Sequence, residues 1–275
     1  LLPGVPAEMQ AMFERHLAGP IADAGAGRVI LTHGLQCFGA GESQIGAALA
    51  DLMRPGQNPA VGTTADEGVI SVRVSAAGDS PEQARRLLLD TADEIRRRLG
   101  QLVFGEGQAT LAQAVGQLLA RGGKTLALAE SCTGGWMAKA VTDVSGSSGY
   151  FLRGYVTYTN EAKTELLGVR AELIAEHGAV SSEVARAMAV GCRERARSDY
   201  AVSVTGIAGP TGGMPQRPVG LAWLGLAGPH CVATRELRLS PSLSRESIRL
   251  RTVRAGLNWL RLVLLDPGSL NPQTR

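Results

Sequence analysis

The chain has 275 residues, 44% of them hydrophobic and 19% charged. That makes one large or two modest globular domains and excludes a disordered polymer. No uncharged apolar run approaches the roughly 18 residues of a membrane-spanning helix. The start, LLPGVPAEMQ, lacks the basic-then-apolar pattern of a secretion signal. Composition therefore points to a soluble, cytoplasmic protein with no membrane partner. The net charge of +3 splits into −3 over residues 1–105 and +6 over 106–275. The first part is a poor nucleic-acid binder on that balance, while the second suits a small anion.

A chain that begins at Leu1 is read as a piece of something longer. Four cysteines, Cys37, Cys132, Cys192 and Cys231, lie far apart with no C-x-x-C pair. A zinc ribbon and a disulfide framework are both disfavoured.

Residues 1–20 form a short tail in which AEMQAMFERHL has a helical stripe. RVILTHGL (28–35) is β-branched and apolar, hence a strand. Ser43 precedes a helical run, QIGAALADLM, that stops at Arg54-Pro55-Gly56. PAVGTT and VISVRVSA flank the turn ADEG (65–68) as a hairpin. Ser80 and Pro81 are placed to cap and open a long helix through RRRLG. The order is β-α-β-β-α over 21–105, and FGEGQ (104–108) reads as a linker.

From 106 to 275 the pattern changes. The helix LAQAVGQLLARGG leads to the buried strand TLALAE (125–130), the loop SCTGG and the helix WMAKAVTDV. GYVTYTN (154–160) reads as a strand before the helical EAKTELLG. A capped helix follows at 181–198, then the strand YAVSVTG (200–206), the loop IAGPTGG, a hairpin and a long final helix. The expected fold class is α/β: a layered α/β/α C-terminal domain behind a small α+β domain.

Three segments gather small polar residues at strand ends. Glu130-Ser131-Cys132-Thr133-Gly134-Gly135 offers a hydroxyl or thiol on a turn, with N–H groups at a helix start for an anion; a plain N-cap is the structural alternative. No lysine follows the glycines, so this is not a P-loop, and it is neither S-x-x-K nor a G-x-S-x-G elbow. In Tyr155–Lys163, Tyr158 and Asn160 share a strand face by alternation, and Lys163 lies just inside the next helix. A desolvated lysine becomes a base, although a lone lysine is usually a solvated one. Thr205–Gly213 holds four glycines, which allow close approach of backbone to a ligand. Arg217, Arg245 and Arg249 offer cations for a phosphate or carboxylate.

Together, AESCTGGWMAKAVTDVSGSSGYFLRGYVTYTNEAKTELLGV, HGAVSSEVARAMA and YAVSVTGIAGPTGGMPQRPVG closely resemble the C-terminal domain of the CinA family over residues 108–265. Upstream, LTHGLQCFGAGESQIGAALADL resembles the family's small KH-like middle domain. LLPGVPAEMQAMF resembles the end of its first, molybdopterin-binding-like domain, most of which would be missing. The resemblance implies a nicotinamide mononucleotide deamidase, which hydrolyses the carboxamide to nicotinate mononucleotide and ammonia. It assigns Ser131 as nucleophile, Lys163 as general base and Tyr158 as proton relay or positioning group. The glycines after Thr133, Gly134 and Gly135, would supply oxyanion donors and contact substrate, and Thr133, Ser148, Asn160, Thr205, Gly206 and Arg245 would bind substrate. Arg217 stands where the family commonly has lysine. No metal or organic cofactor is implied, the partner is the small nucleotide rather than nucleic acid, and a homo-oligomer, a dimer, is expected. Two alternatives remain at this point: Cys132 as a thiolate nucleophile, and a non-catalytic nucleotide-binding or assembly module.

Overall fold

The computed structural model describes residues 5–24, 28–229 and 232–266. Two compact units emerge, one of Leu1–Asp66 with Ile70–Gln108 and one of Ala109–Arg275 with Glu67–Val69. Cys231 lies outside the described residues, and Cys37 and Cys192 are buried free thiols.

The first unit opens with helices α1 (Pro6–His16) and α2 (Ala18–Ala24). Strand β1 (Val29–Phe38), helix α3 (Glu42–Ala48), strands β2 (Ala60–Asp66) and β3 (Val69–Gly78), helix α4 (Pro81–Leu99) and strand β4 (Val103–Glu106) follow. The sheet order is β2-β3-β1-β4. Strand β3 alternates strictly, burying Ile70, Val72, Val74 and Ala76. Helix α4 answers with Ala84, Leu88, Ala92, Ile95 and Leu99 on one stripe, the helical spacing that one buried face requires. Ser80 Oγ accepts from the Gln83 N–H and Pro81 opens the helix, as expected.

Two expectations fail here. The expected linker FGEGQ is largely strand: β4 pairs antiparallel with β1, Leu35 opposite Glu106 and Cys37 opposite Val103. A four-residue edge containing Gly105 shows no alternation, and only its long-range partner reveals it. The helix expected from Ser43 to Met53 stops at Ala48 and gives way to turns, with Gly41 rather than Ser43 at its N-cap.

In the second unit, α5 (Leu111–Gly122) starts on a Thr110/Gln113 capping box and ends on left-handed Gly123. Then come β5 (Leu126–Glu130), α6 (Trp136–Thr142), β6 (Phe151–Val156), α7 (Asn160–Leu167), α8 (Ala171–His177) and α9 (Ser182–Ala196). Strands β7 (Tyr200–Gly206), β8 (Leu221–Ala227) and β9 (Val232–Arg238) precede α10 (Arg245–Leu265). The sheet order is β6-β5-β7-β8-β9. Strand β5 runs parallel to β6 and β7, while β8 and β9 return antiparallel.

All five residues of β5 are buried, as a central parallel strand covered on both faces demands. Ala127, Ala129 and Ala201 pack against Val184, Met188 and Cys192 of α9 and Leu167 of α7, while α5, α6 and α10 pack on one another. The result is a mixed α/β fold in layers, with the carboxyl ends of β5, β6 and β7 on one edge. No described helix is long and apolar enough to cross a membrane.

Candidate active site

Strand β5 runs out at Glu130, and the chain turns through Ser131–Gly135 into α6. The Ser131 N–H donates to Val204 O at 3.0 Å, which ties the turn to β7. Gly134 and Gly135 take φ of 58° and 91°, conformations that cost a side-chain-bearing residue free energy. The Glu130 carboxylate, 1% exposed, accepts from the N–H groups of Gly135 (3.1 Å), Met137 (3.0 Å) and Ala138 (2.7 Å).

Lys163 belongs to the first turn of α7, where Thr159 caps the helix by accepting from the Ala162 N–H. Its side chain runs back toward the strand ends and is 1% exposed. The amine nitrogen lies 3.2 Å from Ser131 Oγ. It donates to Thr157 O at 2.9 Å and Thr159 O at 3.3 Å. Burial pushes its pKa below the ordinary lysine value, offset in part by Cys132 and Glu161.

Ser131 and Lys163 open into a cavity of about 280 Å³ whose lining also includes Tyr158, Asn160, Thr205, Gly206 and Arg245. Larger clefts beside α7 and α8 and beside α8 and α9 hold no such pair. Thr205 donates its hydroxyl to Ala179 O at 2.7 Å. A Cβ on Gly206 would come within 2.8 Å of Ala222 Cβ, so only glycine lets β7 and β8 close at the cavity wall. Arg245 donates to Gly209 O at 2.6 Å and to Tyr158 Oη at 3.1 Å.

The structure departs from several sequence expectations. Strand β6 ends at Val156, so Tyr158 and Asn160 share no strand face. Tyr158 lies in the connection with its hydroxyl bonded to Arg245, and Asn160 opens α7. Thr133 is wholly buried and does not line the cavity. The Gly134 and Gly135 N–H groups are already taken, by Ser131 O and by the Glu130 carboxylate. The start of α6 is thus neutralised by the protein's own carboxylate.

Ser148 sits in a turn immediately before β6. Because β5 and β6 are parallel, that places it at their amino ends, away from the cavity. Burial pushes the Cys132 thiol up to about 12, the opposite of an activated thiolate. Arg217 is engaged by His177 O at 2.5 Å.

Three contributors were not singled out from sequence. Glu130 organises the turn, Thr157 supplies a carbonyl to the lysine, and Trp136 carries the Arg249 guanidinium 4.4 Å from its ring centre. Glu130 stands beside the SCTGG loop, but its partners lie five to eight residues downstream, beyond local pattern.

Residues 108–264 match the family model described as the CinA C-terminal domain, and residues 32–105 match that of the damage-inducible protein CinA KH domain. The chain is 45% identical over 265 residues to a CinA-like protein of Geobacter sulfurreducens, covering 96% of this chain and 64% of that one. A CinA-like protein of Geotalea daltonii is 41% identical over 264 residues, with 96% and 63% covered. The chain therefore spans somewhat under two thirds of these relatives' length. Among solved structures, the competence/damage inducible protein CihA from Agrobacterium tumefaciens is similar, with a TM-score of 0.55 and 43% identity. That match covers 57% of this chain and 94% of that one. A CinA superfamily protein from Klebsiella pneumoniae gives 0.54 and 33%, covering 56% and 96%. Fold, motifs and relatives agree: the chain belongs to the CinA family.

Proposed function

We propose that this chain hydrolyses the carboxamide of nicotinamide mononucleotide, releasing ammonia and nicotinate mononucleotide, with Ser131 as nucleophile and Lys163 as general base. The observation that carries this reading is the buried amine of Lys163, 3.2 Å from the Ser131 hydroxyl. A neutral amine has two hydrogens and one lone pair. Two carbonyls, of Thr157 and Thr159, accept those hydrogens, which leaves the lone pair for Ser131.

In the proposed cycle Lys163 takes the Ser131 proton as Oγ bonds to the carboxamide carbon, whose π electrons move to oxygen. The resulting ammonium then gives its proton to the amide nitrogen, and the C–N bond breaks to free ammonia. Water, deprotonated by the same amine, attacks the acyl ester; Ser131 leaves and recovers its proton. Arg245 and the 207–212 loop at the cavity rim suit the substrate phosphate. A module that only bound nucleotide would have no use for a desolvated amine beside a hydroxyl.

The test is ammonia release from nicotinamide mononucleotide by the purified chain. Ser131→Ala and Lys163→Met should each lower kcat by more than about 10³-fold, and the double variant should be no worse than either single one, because the two act as a unit. Full turnover in Ser131→Ala would refute the mechanism.

A further inference from the structure

Strands β5 and β7 lie in register up to Glu130 opposite Val204, and the Ser131 N–H continues the ladder by donating to Val204 O. Thr205 therefore stands abreast of the nucleophile, one strand spacing away, about 4.8 Å between backbones. Successive side chains along a strand point to opposite faces of the sheet. Ala127, Ala129 and Ala201 face α9 and Leu167 of α7, so Ser131 and Thr205 take that same face, the one from which Lys163 arrives.

Thr205 is 1% exposed and lines the cavity together with Ala179. Its hydroxyl has one hydrogen, which Ala179 O takes at 2.7 Å, and only lone pairs remain on that oxygen. Lys163 is committed in the same way, with hydrogens on Thr157 O and Thr159 O. Beside Ser131, both groups can thus accept a hydrogen bond and neither has a hydrogen left for a ligand. Two positions back along β7, Ser203 donates to Ala185 O at 2.6 Å, but it is wholly buried and does not line the cavity. There the bond is only a tie between strand and helix.

Resting on the amidase reading above, we infer that Thr205 determines specificity for a carboxamide, its hydroxyl oxygen accepting a hydrogen from the substrate's NH₂ group. That bond sets the amide nitrogen on the side of Lys163, which must protonate it, and turns the carbonyl oxygen the other way. The product offers the reverse. A carboxylate carries lone pairs and negative charge where the amide had hydrogens, so two sets of lone pairs face each other and no bond forms. A site built around a hydrogen that an analogue lacks rejects that analogue. One hydroxyl therefore selects the amide and speeds departure of the acid.

The experiment takes Thr205→Val, Thr205→Ser and Ser203→Ala through two comparisons. In the first, each is combined with Ser131→Ala so that nothing turns over, and is titrated calorimetrically with nicotinamide mononucleotide and nicotinate mononucleotide. Relative to Ser131→Ala alone, Thr205→Val should weaken the amide about tenfold, the strength of one neutral hydrogen bond. The acid should bind no more weakly than before, so the ratio of the two affinities moves about tenfold. Thr205→Ser keeps the hydroxyl and should keep the ratio. Ser203→Ala cuts the equivalent tie and should leave the ratio alone. Equal weakening of both ligands, as a purely structural tie would give, an unchanged amide affinity, or the same change of ratio in Ser203→Ala would each overturn the inference. Should Thr205→Val not fold, Thr205→Ala carries the same comparison.

The second comparison, with Ser131 intact, dispenses with the nucleotide. It sets cleavage of p-nitroacetanilide, whose leaving nitrogen bears a hydrogen, against that of p-nitrophenyl acetate, whose leaving oxygen bears none. Thr205→Val should lose about tenfold on the anilide and change less than about threefold on the ester. If the chain binds neither mononucleotide yet shows this split, the nucleotide reading fails and the Thr205 inference stands. Equal loss on both substrates, or a wild type that cleaves the ester and no amide of either kind, would overturn the inference. A wild type that binds neither mononucleotide and cleaves neither acetyl compound would overturn both.

Discussion

Glu130 and Ser131 are consecutive, yet they serve different partners: the carboxylate of one binds three N–H groups of the following turn and helix, while the hydroxyl of the other lies against the Lys163 amine. The strand end that presents the nucleophile is thus clamped by its neighbour. Replacing the carboxylate by an amide leaves three N–H donors, that of Met137 buried and those of Gly135 and Ala138 part-buried, facing one acceptor and an NH₂ group. Glu130→Gln should lower the unfolding free energy by about 3 kcal/mol, from the ~1–3 kcal/mol cost of each unsatisfied buried group. Urea denaturation measures it, and a loss below about 0.5 kcal/mol would show that the clamp is unimportant.

The pH dependence follows from Lys163. It acts as a base only when neutral, so kcat/KM should rise with pH through a single ionisation. The midpoint lies below the ordinary lysine value of 10.5, because burial disfavours the charged form. The limb should vanish from the residual activity of Lys163→Met. A midpoint at or above 10.5 would contradict the burial of the amine.

Stability carries the same signature. The unfolded chain keeps this proton up to about pH 10.5, whereas the folded chain releases it earlier. Between those two values the unfolded state binds more protons, so stability climbs with pH by up to about 1.4 kcal/mol per unit. Below the folded value the slope is gone, with the stabilisation lost. The difference between wild type and Lys163→Met in denaturant midpoints across this window should display that slope. A flat difference would mean that the amine is not desolvated.

Cys132 lines the same cavity, but its thiol, pushed up to about 12, stays protonated at neutral pH. Cys132→Ser should keep kcat within about fivefold, and iodoacetamide at pH 7 should inactivate slowly if at all, since the thiolate is the reactive species. Rapid alkylation with parallel loss of turnover would reassign the nucleophile.

Gly191, on α9, sets the position of α7 from a distance. A Cβ there would lie 1.9 Å from Leu167 O, and that oxygen belongs to backbone that cannot rotate away. Gly191→Ala should cost about 3 kcal/mol of stability, at the upper end for overpacking, and should lower kcat by shifting the helix that bears Lys163. Wild-type stability together with wild-type turnover would show that α7 accommodates the methyl group freely.

Elements with a local signal were legible in the sequence: Ser80-Pro81 at the start of α4, Ser181 at the capped start of α9, and the apolar run of β7. Strand β4 was not, because Val103–Glu106 is defined by its partner β1 rather than by its own alternation. Tyr158 and Asn160 alternate on paper, yet Thr159 caps a helix between them and breaks the strand pattern. Within the site, the Ser131 turn and Lys163 could be singled out by residue type. The burial of the lysine could not, since it arises from Thr157, Thr159 and the strand ends closing over it. The competition for N–H groups at α6 was equally hidden, because a carboxylate's choice of partner is settled by folding.

The two oxygens that hold the amine belong to residues four and six positions before it. A stretch of seven residues, 157–163, thus brings both the base and the mould that orients its lone pair, and only the hydroxyl arrives from elsewhere. The reactive half of the pair is preset by its own short length of chain, so substitutions deep in the sheet can loosen the serine while leaving the lysine aimed.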